Sequence, residues 1–107
     1  MQVLKSVLII LPLILLFSAY VSAESGQEVF KRRCAGCHGV NGVGETTNGK
    51  NLRVRDLHSA DVQRQTDQEL TAIVAKGKGR MPAYENKLTK EQIGELVKFI
   101  RTLKKSE

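Results

Sequence analysis

The chain of 107 residues has few stacking or stiffening side chains: no tryptophan, two tyrosines, three phenylalanines and two prolines. So few rings cannot form the stacking surfaces that hold single-stranded nucleic acid, and no nucleic-acid partner is expected. No segment after residue 23 alternates polar and apolar residues over a strand's length, so no sheet is expected. The length allows one domain and excludes a large enzyme with a deep cleft of its own.

Charge is absent from residues 6–23. Lys5 precedes an apolar run over residues 7–17, and small residues end the segment at Ala23, which is the form of a secretory signal peptide. We expect cleavage after Ala23, leaving a mature domain of residues 24–107 in the periplasm. The alternative is an uncleaved membrane anchor, since about 18 uncharged residues are the lower limit for a span.

Three helices are predicted from capping boxes, in which a Ser or Thr is followed three residues later by Glu or Gln. The pairs are Ser25 with Glu28, Thr66 with Glu69, and Thr89 with Gln92. Apolar residues follow each box at helical spacing, and in the first helix this spacing continues through Cys34 and Cys37. Gly77 is predicted to end the second helix. A short helix over residues 60–65, capped by Ser59, also fits. The glycine-rich segments 39–50 and 76–82 are predicted to be loops, the first with several positive-φ positions. The fold class is therefore all-α.

The two cysteines stand in the string Cys34-Ala35-Gly36-Cys37-His38, the attachment signal of a c-type haem. Two intervening residues in a helical turn place both sulfurs on one side, where they reach two vinyl groups of one haem. The histidine that follows can then direct its imidazole at the iron. One covalent haem c would also enlarge the small core of an 84-residue domain.

Three other uses of these cysteines stay open. A disulfide between Cys34 and Cys37 would close a very small loop and stabilise little. A thiol–disulfide oxidoreductase would expect a strand before the motif. A zinc site would need Cys34, Cys37, His38 and a fourth ligand such as His58, although His38 directly follows Cys37.

Met81 is the candidate for the second axial ligand of the iron. Once Met1 is removed it is the only methionine, and it lies in the loop Gly79-Arg80-Met81-Pro82, where Pro82 stiffens the backbone. His58 is the rival. Filling both axial positions leaves no substrate site, which predicts a single-electron carrier and not an enzyme. If the sixth ligand were labile, the alternative would be a protein that senses or reacts with a gas or peroxide.

These features together resemble a small bacterial monohaem class I cytochrome c of the periplasmic type, similar to cytochromes c6 and c551. The resemblance spans residues 24–107 and includes the motif, the glycines at 39, 42 and 44, and the Met81-Pro82 pair. It implies an all-α fold of three main helices wrapped around the haem, with His38 proximal and Met81 distal. It also implies that the terminal helices cross closely at Gly26, with Phe30 and Phe99 packed there.

One departure from this resemblance concerns the proximal histidine. Many members have a proline after the motif whose carbonyl accepts the imidazole N–H, and residues 39–54 contain no proline. A carbonyl within residues 48–54 is the expected replacement, and the sequence leaves open which one.

The positive charge predicts the kind of partner. The net charge of +6 becomes +5 when Lys5 is removed, which favours encounter with acidic surfaces. Basic residues flank both parts of the site, at 31–33 before Cys34 and at 76, 78 and 80 beside Met81. We expect a monomer that docks acidic redox proteins and meets a membrane only through them, unless its signal is retained. The donor, the acceptor, the pathway and the reduction potential cannot be predicted from the sequence.

Overall fold

The computed structural model describes residues 24–105, which form six helices joined by loops. In chain order they are α1 (Gly26–Arg33), α2 (Ala35–His38), α3 (Thr47–Leu52), α4 (Ala60–Gln63), α5 (Asp67–Lys76) and α6 (Lys90–Thr102). Within these residues no strand forms, so the all-α prediction is confirmed. No helix in this range combines the length and the apolar character that a membrane span requires. The predicted signal peptide, residues 1–23, lies outside the described residues.

Side-chain caps start the three longest helices, as the sequence predicts. Thr66 and Glu69 form a complete capping box on α5, and Thr89 and Gln92 form another on α6. On α1 only half of the box forms, since Ser25 accepts from the Glu28 amide at 3.2 Å without the reciprocal bond. Gly77 ends α5 with a φ of 76°.

Three helical regions differ from the prediction. The first helix does not continue through the cysteines but breaks at Cys34, so that α2 is a separate turn. Helix α3 forms where a loop was predicted, because Thr46 fixes its start: the hydroxyl accepts from the Gly49 amide at 2.8 Å and donates to the Cys37 carbonyl at 2.7 Å. The remaining loop does have positive φ at Gly39, Gly42 and Gly44. Helix α4, capped by Ser59, ends two residues earlier than predicted.

The core lies where α1 crosses α6. A Cβ at Gly26 would collide with the Glu95 carbonyl oxygen, so only glycine allows this close approach. The rings of Phe30 and Phe99 pack beside the crossing with centroids 5.0 Å apart. Both features agree with what the resemblance implied. Buried apolar residues of α5 and α6 extend the core, and the same side chains form an apolar wall for the site.

Candidate haem site

A cavity of about 290 Å³ brings the predicted site residues together. Cys34, Cys37, His38 and Met81 all line it. Buried or half-buried aliphatic side chains of the core line much of the rest: Val62, Leu70, Ile73, Val74, Leu96 and Ile100. The site is thus an apolar cavity with two thiols, one imidazole and one thioether, a donor set that fits a covalently attached haem and its iron.

The motif is held by backbone hydrogen bonds. At the break between α1 and α2, the Cys34 carbonyl accepts from the amides of Cys37 at 3.2 Å and His38 at 3.0 Å. On the other side, the His38 carbonyl accepts from the Gly44 amide at 2.7 Å. These bonds fix both cysteines and the histidine in one short turn, so the break that the sequence did not predict is what presents the motif to the cavity.

Met81 is held by a turn that folds back on itself. The Lys78 amide donates to the Met81 carbonyl at 3.2 Å, and the Met81 amide donates to the Lys78 carbonyl at 3.0 Å. A Cβ at Gly77 would lie 2.5 Å from the Met81 carbonyl oxygen, so the turn needs glycine there. Met81 is half-buried and packs against the core.

His58 is not part of this site. It does not line the cavity, and its Nε2 lies 2.6 Å from the Asn41 carbonyl oxygen. Cys34 and Cys37 are not joined by a disulfide. Within residues 24–105 no group of three or more His, Cys, Asp or Glu side chains could hold a metal ion, so the zinc alternative has no site in this range. Of the two candidates for the second axial ligand, Met81 lines the cavity with His38 and His58 does not.

Burial shifts the pKa values of Cys34 and His38 in the motif. It raises the pKa of the Cys34 thiol to about 11, with the neighbouring Cys37 adding to the effect, so the thiol is protonated at neutral pH. Burial also lowers the pKa of His38, and Arg55 lowers it further. The imidazole is therefore neutral at pH 7, the form in which a ring nitrogen can bind a metal.

The expected carbonyl partner of His38 is absent. Nδ1 is buried and has no hydrogen-bond partner among the described residues, which corrects the expectation of a carbonyl from 48–54. Two of those carbonyls are used elsewhere: Gly49 accepts from the Arg53 and Val54 amides, and Lys50 accepts from Arg53, closing the end of α3. A buried imidazole nitrogen without a hydrogen-bond partner has a free-energy cost, and at His38 nothing in the described chain offsets it.

Five basic residues line the cavity: Arg33, Arg53, Arg55, Lys78 and Arg80. No acidic residue of the described chain does so. None of the five forms an ion pair within residues 24–105, whereas six other cations there do. This cationic rim fits a group that carries carboxylates, as haem does. Arg53 and Arg55 were not singled out from the sequence, because nothing in their local pattern shows that the end of α3 faces the motif.

Known proteins match this fold and site. Residues 21–100 match the family described as cytochrome c oxidase, cbb3-type, subunit III. A cytochrome c6-like protein of Nostoc sp. is 33% identical over 76 residues, which are 71% of this chain and 66% of that protein. Cytochrome c6 of Leptolyngbya boryana is 33% identical over 78 residues, 73% of this chain and 88% of the relative.

A solved structure and one enzyme also resemble the chain. The solved structure of the KustC0563 c-type cytochrome superposes with a TM-score of 0.71 at 30% identity, covering 77% of this chain and 100% of that one. A nitrite reductase of Stutzerimonas stutzeri is 33% identical over 87 residues, but these are only 15% of its length. The similarity to that enzyme is therefore confined to one segment of it.

The chain belongs to this family of c-type cytochromes. More closely, it is a small monohaem class I cytochrome c with one covalently attached haem c, similar to cytochrome c6. The family indicates an electron carrier rather than an enzyme.

Proposed function

We propose that the protein is a single-electron carrier whose haem is bound through Cys34 and Cys37, with His38 and Met81 as the axial ligands of its iron. The observation that carries this proposal is that all four side chains line one apolar cavity. When bound, haem c supplies an iron that alternates between the ferric and ferrous states. The chain holds both ligands in backbone-fixed turns, so little rearrangement accompanies electron transfer. A thioether ligand also favours the ferrous state and raises the potential.

Export and processing form part of this proposal. Residues 1–23 act as a signal peptide cleaved after Ala23, and residues 24–107 work in the periplasm as a monomer. The charge pattern of residues 1–23 and the family match beginning at residue 21 support this division. Contact with a membrane then occurs only through partner complexes.

The proposed partners are redox proteins with acidic docking surfaces. The cationic rim supports this, because its five residues have no ion-pair partner within residues 24–105 and are exposed. Unpaired charges around an electron-transfer site steer an oppositely charged partner towards it. Such complexes bury little area and are short-lived.

Peroxide chemistry is a weaker candidate. It needs an acid–base group beside the open iron position. No Asp, Glu or second His of the described chain lines the cavity, and the other histidine, His58, bonds to the loop at Asn41. No observation therefore favours the labile-ligand alternative.

Met81→Ala tests the ligation directly. The wild-type holoprotein, made in a host with c-type maturation, should show the weak far-red sulfur-to-iron band in its ferric form. Met81→Ala should lose this band, bind added imidazole readily and have a lower reduction potential. The matched control is His58→Ala, which should keep the band and the potential. A wild type without the band, or a band that disappears with His58 and not with Met81, would refute the proposed ligand pair.

A further inference from the structure

We infer that Tyr84 is the clasp that holds the Met81 segment, residues 77–88, against the Cys34 end of α1 and so keeps the Met81 thioether in place as a ligand. The inference rests on the proposed His38/Met81 ligation. Tyr84 acts through Met81 and is therefore a positioning residue.

The clasp is a hydrogen bond between distant parts of the chain. The Tyr84 hydroxyl donates to the Arg33 carbonyl oxygen at 3.1 Å, across 51 positions of sequence. Within residues 24–105, no other hydrogen bond or ion pair joins the Met81 segment to α1 or α2. This single bond is thus the direct polar link between the segment that carries Met81 and the helix that leads into the cysteine motif.

The acceptor of this bond is made available by the break in the helix. Helix α1 ends at Arg33, and no backbone N–H of the described chain bonds to the Arg33 carbonyl. Carbonyls at a helix end need a partner from outside the helix. The Tyr84 hydroxyl provides it, so the break that presents Cys34 also creates the attachment point for the Met81 segment.

Tyr84 is anchored at its other end as well. Its amide lies 3.1 Å from the Val74 carbonyl and 3.2 Å from the Ala75 carbonyl, both near the end of α5. Its ring lines the cavity and packs with Met81 and Cys34 against the buried core. Tyr84, which lies three positions after Met81, therefore connects α5 to α1. A movement that takes the Met81 thioether away from His38 has to carry this segment along or break the clasp.

The test is Tyr84→Phe in the holoprotein, with the ferric form titrated with imidazole. Imidazole can bind the iron only where Met81 has left it, so its apparent affinity reports how firmly Met81 is held. Phenylalanine keeps the ring and its packing and removes only the hydroxyl. A neutral hydrogen bond changes an equilibrium constant by about tenfold. If the bond is lost, Met81 should leave the iron about ten times more often, so Tyr84→Phe should bind imidazole about tenfold more tightly. The far-red band is followed in the same titration.

Thr89→Ala is the matched control, because it removes the cap of α6, a comparable loss of overall stability, without touching the clasp. It should bind imidazole like the wild type. The clasp is refuted if Tyr84→Phe also binds like the wild type, or if Thr89→Ala rises equally, since the effect is then one of general stability. A wild type that lacks the far-red band shows instead that the proposed ligation fails. Because that readout is separate, the two failures can be distinguished.

Discussion

Cys34 and Cys37 are the only cysteines in the chain, so any thioether bond to haem has to involve them. Replacing both by alanine should abolish covalent attachment, and acid–acetone should then extract all haem from the protein. Each single variant keeps one thiol and should retain haem through one thioether, with a displaced α band. Haem that resists extraction from the double variant would contradict the assignment of these residues.

At the same scale, the unpartnered Nδ1 of His38 distinguishes this site from one in which a carbonyl accepts the imidazole proton. Hydrogen bonds to the outer nitrogen make a ligating imidazole more basic. Without one, His38 as the proposed axial ligand would donate less electron density to the iron and would favour the ferrous state, in the same direction as the proposed Met81 ligand.

The crossing of α1 and α6 requires a glycine at position 26, whereas Gly94 of α6 has open space around it. Gly26→Ala places a methyl group against the Glu95 carbonyl and should cost about 2 kcal/mol of unfolding free energy, as overpacking does. Gly94→Ala, on the exposed side of α6, meets nothing within 4 Å and should stabilise by about 0.5 kcal/mol. Thermal unfolding of the two holoproteins measures the difference. Equal midpoints would mean that the helices do not approach closely at Gly26.

Short-range signals allowed the sequence to predict most helices and the motif. Thr66 and Thr89 cap their helices together with side chains three residues later, and such short-range pairs can be recognised in the sequence. Helix α3 could not be read in this way. Its Thr47-Asn48-Gly49 start has poor helix propensity, and it is held by the Thr46 bond to Cys37, nine positions earlier. The same limit applies to Tyr84, whose partner lies 51 positions away.

At the scale of the whole molecule, the cationic rim predicts how fast the protein reacts with charged redox reagents. The double variant Lys78→Glu with Arg80→Glu should slow oxidation of the ferrous protein by hexacyanoferrate(III), an anion, by about tenfold at low salt. A cationic cobalt oxidant should react faster with it, and both differences should shrink at high salt. Stopped-flow absorbance gives these rates.

The control for this experiment makes the same charge change elsewhere. Lys90 and Lys104 are exposed and do not line the cavity. Lys90→Glu with Lys104→Glu should therefore change the rates much less. Equal effects of the two double variants would show that total charge governs the encounter, in which case the cationic rim has no special role.

The turn around Met81 has a consequence for divergence among related carriers. Its shape is set by main-chain bonds: Lys78 with Met81, and the amides of Tyr84 and Glu85 with carbonyls of α5. The side chains at positions 78, 80 and 83 are exposed, and the turn does not depend on them. Mutations at these three positions can therefore change the charge and shape of this surface while the main-chain turn still holds Met81. A lineage could thus change what this surface binds and still keep the turn that carries Met81.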